Sequence, residues 1–440
     1  MSSGLTRRRL LGTAAAAAVA AGGSPVPWGS AAAQEVMFTP EPGASLRVLR
    51  WEPFVQGDGE LWAANTEKFS RATGVSVTVE SLPWPEVRPR ALEAAITFGG
   101  PDIVLGWFDD PHQFPDRLVV LSDLADHLAE RYGDWYDVCK RYGTFQGQWI
   151  ALPLGAVGTC MVYRDSHVKA AGFEEFPRDT DGFLRLCQAL AQRGTPPGLV
   201  LGRAVGDGTV WTHWLLWAFG GKLVDLGGLT VIDSVQTEAA LEYARELYQT
   251  FVPGTTSWLD PDNNRAFLAG EIGLTANGVS IYDAARKADD PRVQEIAGDI
   301  RHANLPVGPV GAPTELFLFT QAMVYGYTPY PNAAKEYLRF MWEREQYGPW
   351  QAAASGYITQ PLIAYEANEV WSQDPQILPF RDCTARMLWN GYAGPLGAAS
   401  ARALADNIVV DMFARAASGE LTPKEAMREA ERQASRYYRV

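Results

Sequence analysis

The chain is poor in cysteine, histidine and positive charge. Among 440 residues there are only 4 cysteines and 5 histidines. Cys139, Cys160, Cys187 and Cys383 are too few and too scattered for a disulfide scaffold, and no CxxC pair is present. One or two bridges remain open in an oxidising compartment, and spacing does not say which. His112, His127, His167, His213 and His302 are dispersed, with no two at i, i+4 spacing, so nothing signals a zinc enzyme. HExxH, GxSxG and the Walker loop are all missing. Gly206-Asp207-Gly208 begins like a dinucleotide fingerprint, but Trp211 stands where the third glycine belongs. Asp260 to Glu271 has oxygen ligands at several EF-hand places, but Arg265 replaces the glycine of the sharp turn, so a turn capping a helix is expected instead. No metal and no cofactor is expected.

Basic residues number 38 against 51 acidic, a net charge of −13. A surface of that sign repels phosphate backbones and no Lys/Arg block offsets it, which argues against nucleic acid as a partner. No apolar run reaches the roughly 20 residues that a membrane span needs. The longest lies in residues 1–33, where Arg7-Arg8-Arg9 precede an alanine-rich stretch closing on Ala31-Ala32-Ala33. That order of regions reads as a secretory signal peptide of the twin-arginine type. Cleavage after Ala33 removes three arginines and no acid, taking −13 to −16 and leaving a soluble chain of 407 residues outside the cytoplasm.

What the chain does have is a strand–helix–strand rhythm. Leu46–Trp51 reads as a strand, and Leu61, Trp62 and Phe69 fall on a helix ending at Gly74. Val75–Glu80 alternates as a strand does, and a helix over Glu86–Thr97 leads into the strand Ile103-Val104-Leu105. This spacing predicts an α/β fold with a parallel sheet. Further on, helices are expected over Trp211–Phe219, Ser234–Phe251, Asn263–Glu271 and Pro331–Glu345. Strands are expected at Ile272–Thr275 and Gln321–Tyr325, and a capping box at Thr422–Glu425 starts a last helix. Proline and glycine crowd into Ala303–Pro313, a crossing between lobes.

Aromatics are the positive functional signal. Of 15 tryptophans, Trp51 ends the first strand, Trp84 follows the second and Trp107 ends the third. Ligands of open α/β sheets bind at that carboxyl side. Tryptophan faces suit the C–H faces of sugars, and carboxylates or amides suit their hydroxyls. In GPDIVLGWFDDPHQFPD, Trp107 is therefore expected as a stacking platform, Asp109 or Asp110 as an acceptor, Phe108 as core and His112 as a surface residue. Adjacent aspartates point apart, so they make a poor glycosidase pair.

Several stretches in order resemble the carbohydrate-type extracellular solute-binding proteins of ABC importers, in the broad maltose-binding-protein-like group. They are ELWAANTEKFSRATGVSVTVE, GGPDIVLGW, GTFQGQWIALPLGAVGTCMVYRDSHVKAAGF (with Tyr-Arg-Asp for a frequent Tyr-Asn-Lys), AFLAGEIGLTANG and SGELTPKEAMREAERQASRYY. The resemblance implies a two-lobed periplasmic-binding-protein fold, with hinge strands and a ligand cleft that closes between the lobes. Lobe one would be 46–152 plus about 306–355, and lobe two 158–303 plus about 356–440. It implies a monomeric, non-enzymatic binding component that hands a sugar or small oligosaccharide to a membrane permease. Its contacts carry over to Trp51, Glu52, Trp84, Trp107, Asp109 and Asp110 in the first lobe, and to Tyr163, Trp211, Trp258, Asn277 and Gly278 in the second, with Tyr357 added. Aromatics would stack on the ring, and Glu52, Asp109 and Asn277 would meet hydroxyls. The alternatives are a polyamine, amino acid, phosphorylated or polyol ligand, or a secreted carbohydrate-active enzyme. An anionic ligand would want an arginine clamp, for which Arg50 and Arg164 lie nearest in sequence.

Overall fold

The computed structural model describes residues 36–438; the leader expected at 1–33 lies outside them. Eleven strands run in chain order: β1 (Ser45–Trp51), β2 (Ser76–Leu82), β3 (Ile103–Trp107), β4 (Thr144–Phe145), β5 (Gln148–Trp149), β6 (Leu152–Val157), β7 (Cys160–Arg164), β8 (Leu274–Asn277), β9 (Ile300–Ala303), β10 (Leu318–Val324) and β11 (Ile358–Thr359). They form a six-stranded sheet ordered β11-β6-β10-β3-β1-β2, a three-stranded sheet β8-β7-β9 and the small hairpin β4-β5.

The expected parallel unit is present. β1 pairs in parallel with both β2 and β3, from Ser45 opposite Ser76 to Trp51 opposite Leu82 on one side. The intervening helix Gln56–Thr73 stops where Gly74 turns to φ 77° and donates to the Ser70 carbonyl at 2.9 Å, a left-handed stop that glycine adopts without strain. The next helix runs Trp84–Thr97, two residues earlier than expected. Pro85 is tolerated there because first-turn amides have no helical acceptor, and Trp84 thus becomes the opening residue of the helix.

The remainder of the large sheet is antiparallel. β10 inserts between β3 and β6, and β11 adds to β6. The approach of β11 requires Gly155: its φ is 133°, and a Cβ there would stand 1.9 Å from the Thr359 carbonyl oxygen. The chain leaves the large sheet at Val157 and enters the small sheet at Cys160, so Gly158-Thr159 is a crossing between the sheets. It returns through the proline- and glycine-rich segment between β9 and β10. Thr422 and Glu425 form the reciprocal capping box on the helix Pro423–Ala434. No helix among the described residues is long and apolar enough to cross a membrane.

The end of β1 is anchored by a buried ion pair. Arg50 Nη2 lies 2.6 Å from both carboxylate oxygens of Asp58, and the guanidinium packs on the rings of Trp51 and Trp62. Trp350 Nε1 donates to Asp58 Oδ1 at 2.7 Å. Arg50 is thereby committed to the interior, and Arg164 is committed to Asp299 at 2.6 Å. Neither arginine clamps an anion in a cleft.

Candidate functional site

The carboxyl ends of β1, β2 and β6, the amino ends of β10 and β11, and the edge of the small sheet converge on one cleft of about 320 Å³, counting its mouth. From the large-sheet side come Phe54, Trp84, Val157, Leu318 and Tyr357, with Thr159 at the crossing. From the small-sheet side come Gly206, Asp207, Val210, Asp260, Asn264, Asn277, Gly278 and Ser280. Lysine, arginine and histidine do not occur in this lining.

A hydrogen bond and a ring contact help to place Trp84. Its Nε1 donates to the Glu52 carbonyl at 3.0 Å, and Phe54 meets its ring edge-on at 4.8 Å. Opposite it, the loop before the helix Asp207–Ala218 comes close. A Cβ on Gly206 would stand 3.6 Å from the Trp84 ring and 3.2 Å from Asp260 Oδ1, so a bare backbone faces the indole.

Asp260 shapes that loop. One of its oxygens accepts the Val205 amide at 2.9 Å, and the other accepts Gly206 at 3.0 Å and Asp207 at 2.9 Å. A carboxylate on the first amides of a helix is favoured by hydrogen bonding and by the helix dipole. Asp207 is held by Asn263 Nδ2 at 2.8 Å on one oxygen only. Burial and the neighbouring Asp260 push the Asp207 carboxyl well above its ordinary value. Burial also raises Asp260, but its three backbone amides oppose the shift.

A closed polar ring stands beside this pair. Asn264 donates to Ser280 Oγ at 3.0 Å, Ser280 donates to Asn277 Oδ1 at 3.2 Å, and Asn277 donates back to Asn264. Each amide keeps a second N–H for a ligand while its orientation is fixed. The Tyr357 hydroxyl makes no hydrogen bond among the described residues; burial, with Asp207 and Asp260 close by, pushes its pKa well up. Asp260 and Glu271 do not build a calcium loop: Asp260 opens the helix Asp260–Leu268, and no metal-holding cluster of three or more such ligands occurs among the described residues.

Of the residues expected at the site, Trp84, Asn277, Gly278 and Tyr357 line this cleft. Trp51 and Trp107 are fully buried, each with ring centroids 5.0 Å from a neighbour: Trp51 on Trp107, and Trp107 on Trp84. Glu52 has an exposed side chain and contributes its carbonyl. Asp109 is buried away from the cleft, accepting Asn390 Nδ2 at 2.7 Å and the Ser400 hydroxyl, and burial pushes it up to about 7. Asp110 pairs with Arg88 at 2.7 Å. Tyr163 stacks on Phe176, Trp211 packs between Phe251 and Phe413, and Trp258 covers Gly198 and Gly202.

Phe108 packs inward as expected, but His112 is not on the surface. Its 3₁₀ turn folds back so that Nε2 meets the Tyr142 carbonyl at 3.0 Å in the interior. A wider opening of about 620 Å³ lies beyond Trp84, beside Trp107, Arg88 and Arg203. Its two cations are already paired, Arg88 with Asp110 and Arg203 with Asp411.

Known proteins share this fold. A probable ABC transporter-binding protein of Deinococcus radiodurans is 24% identical over 315 residues, covering 70% of this chain and 72% of the relative. T. maritima MalE3, solved with maltose bound, superposes with a TM-score of 0.76 at 18% identity, covering 89% of this chain and 99% of the other. A sugar transporter protein of Arthrobacter chlorophenolicus with bound laminaribiose gives a TM-score of 0.75 at 17% identity over 90% and 99% of the two chains. The fold is thus the two-lobed one of periplasmic sugar-binding proteins, with the cleft between lobes. The sequence model of the bacterial extracellular solute-binding proteins matches residues 64–379, and the chain belongs to that family.

Proposed function

We propose that this binding component of an ABC importer captures a neutral polyhydroxylated solute, a sugar of one or two rings or a sugar alcohol, and passes it unchanged to a membrane permease. The observation that carries the reading is the chemistry of the cleft. Trp84 and Phe54 offer apolar faces, while Asp207, Asn264, Asn277, Ser280 and Tyr357 offer donors and acceptors, with no cation to attract an anion. Proteins of the same fold hold maltose, laminaribiose, alpha-D-tagatose and ribitol, which supports the same class here.

The lobes follow the two sheets: 46–152 with about 306–355 and the β11 pair, against 158–303 with most of the C-terminal segment. Ligand contacts to both lobes drive hinge closure. The chain acts outside the cytoplasm as a monomer, exported by the twin-arginine route, with no nucleic-acid partner. Asp260, committed to three backbone amides, is not free for acid–base chemistry, which weighs against a glycosidase. The two acids would also suit a polyamine. Against that reading, Asp260 already spends both oxygens on the Val205, Gly206 and Asp207 amides.

A thermal-shift screen of the mature chain against mono- and disaccharides, sugar alcohols and polyamines tests this. A ligand at 100 times its dissociation constant adds about 2.7 kcal/mol. Stabilisation by polyamines with silence across sugars and polyols overturns the reading, as does chemical conversion of a bound sugar.

A further inference from the structure

We propose that the hollow beyond Trp84 is a second sugar subsite, so that the solute is a neutral disaccharide with one ring on either side of the Trp84 edge. The inference rests on the reading of the first cleft as a sugar site. Trp84 borders both openings. The segment facing it does the same: Gly206 and Val210 line the first cleft, and Val205 and Thr209 line the second. The partition between them is therefore one indole against a bare backbone, since a Cβ on Gly206 would stand 3.6 Å from the ring. Two linked rings need to pass only that edge. The second opening is the larger, about 620 Å³ against about 320 Å³ with both mouths counted.

Three parts of the chain build the second hollow. The first turns of the helix Trp84–Thr97 supply Pro85 and Arg88, and the loop before the helix Asp207–Ala218 supplies Arg203. The turn between the helices Ala398–Ala405 and Ile408–Ala417 supplies Leu404 and Asn407. Arg88 Nε donates to Asp110 at 2.7 Å, and Arg203 reaches the two oxygens of Asp411 at 3.0 and 2.7 Å. Each guanidinium is neutralised by its aspartate, so the hollow does not favour an anion. Arg88 Nη2 nevertheless lies buried with no hydrogen-bond partner among the described residues. A buried donor left unpaired is costly, and a hydroxyl or ring oxygen is the neutral acceptor that suits it. Asn407 complements this donor. Its Nδ2 donates to the Ala405 carbonyl at 3.1 Å, which fixes the amide and leaves Oδ1 to accept a hydroxyl. Its φ of 56° is left-handed, a conformation asparagine bears better than most residues with a side chain. A donor, an acceptor and the apolar walls of Pro85 and Leu404, with the charges cancelled, fit a neutral sugar ring.

Calorimetric titration of the mature chain with glucose, galactose, maltose, cellobiose, lactose, digalacturonate and ribitol provides the test, on the wild type and two variants. Ala405→Trp fills the hollow from a half-buried wall, and Asn407→Gly removes the amide at a φ that glycine adopts freely. Neither residue lines the first cleft. The expected result is a neutral disaccharide bound about tenfold or more tighter than its component monosaccharide. That margin should vanish in Ala405→Trp and shrink about threefold or more in Asn407→Gly, while affinity for the single ring changes little. Should Ala405→Trp fail to fold, Asn407→Gly decides alone. A monosaccharide or ribitol bound as tightly as any disaccharide, or a margin that survives in every folded variant, overturns the second subsite and leaves the first-cleft reading standing. Digalacturonate bound most tightly overturns the neutral ring. Silence across all seven solutes overturns the first-cleft reading and this inference together.

Discussion

Trp107 and Trp84 pack at a 37° tilt with ring centroids 5.0 Å apart, and of the two only Trp84 borders the cleft between the sheets. Trp107 is the support and Trp84 the face. Trp84→Leu keeps apolar bulk but loses the ring, so ligand binding should weaken about tenfold with a small change in stability. Trp107→Ala opens a core cavity and should cost about 3–5 kcal/mol of stability, with the dissociation constant within about threefold of wild type. Calorimetric titration and urea unfolding separate the two. The reverse pattern would make Trp107 the platform.

The difference between these tryptophans marks the limit of what periodicity conveys. The strands β1, β2 and β3 and their parallel order follow from alternation and from Gly74, and each strand does end near a tryptophan. Which indole reaches solvent depends on how three rings and Phe54 stack together, a long-range packing outcome. Asp207, Asp260 and Asn264 are instructive in another way. Their stretches stand out in sequence only as a broken dinucleotide fingerprint and a broken calcium loop, patterns that point to other chemistry than a sugar cleft. Asp260 and the 205–207 amides it holds are more than fifty positions apart, so no local pattern could pair them. The segment around Asp109 looks like a cleft lip because its partners, Asn390 and Ser400, lie nearly three hundred residues away.

The two cleft carboxylates should separate by substitution. Asp260→Ala strands three amides and should cost about 1–3 kcal/mol or more, seen as a lower urea midpoint. Asp207→Asn keeps the shape and the bond to Asn263 is the only one disturbed, so the fold should persist while binding weakens about tenfold or more. Equal loss of stability in both variants would contradict the division of roles.

Asp109 should leave a signature in the pH dependence of stability. Its carboxyl rises from 3.8 to about 7, chiefly through burial. A raised acid favours the folded state below the unfolded value and loses that advantage as pH climbs to the folded one. Stability should therefore fall by about 1.4 kcal/mol per pH unit between about 4 and 7 from this group, then level off. Asp109→Asn removes that slope. His213 and His302, pushed down to about 4 by burial, tilt stability the other way below pH 6.5, so the contrast of wild type with variant is the quantity to measure. Urea unfolding at pH 5 and pH 8 decides it: an unchanged difference between the two proteins at both pH values would show that Asp109 titrates normally.

Arg50 is the residue whose role the structure inverts most completely, from a neighbour of the site to a buried counter-ion. Removing it strands the Asp58 carboxylate among Trp62, Trp350 and the end of β1. Arg50→Met should therefore cost about 3–5 kcal/mol. Because that cost comes from the unpaired charge and not from a net worth of the pair, Arg50→Met combined with Asp58→Leu should recover part of it. Ligand affinity should stay within about threefold of wild type in the double variant, since neither side chain lines the cleft. Chemical denaturation of the single and double variants, with a ligand titration on the latter, provides the measurement. A double variant that stays stable yet loses its ligand would return Arg50 to the binding site and reopen the case for an anionic solute.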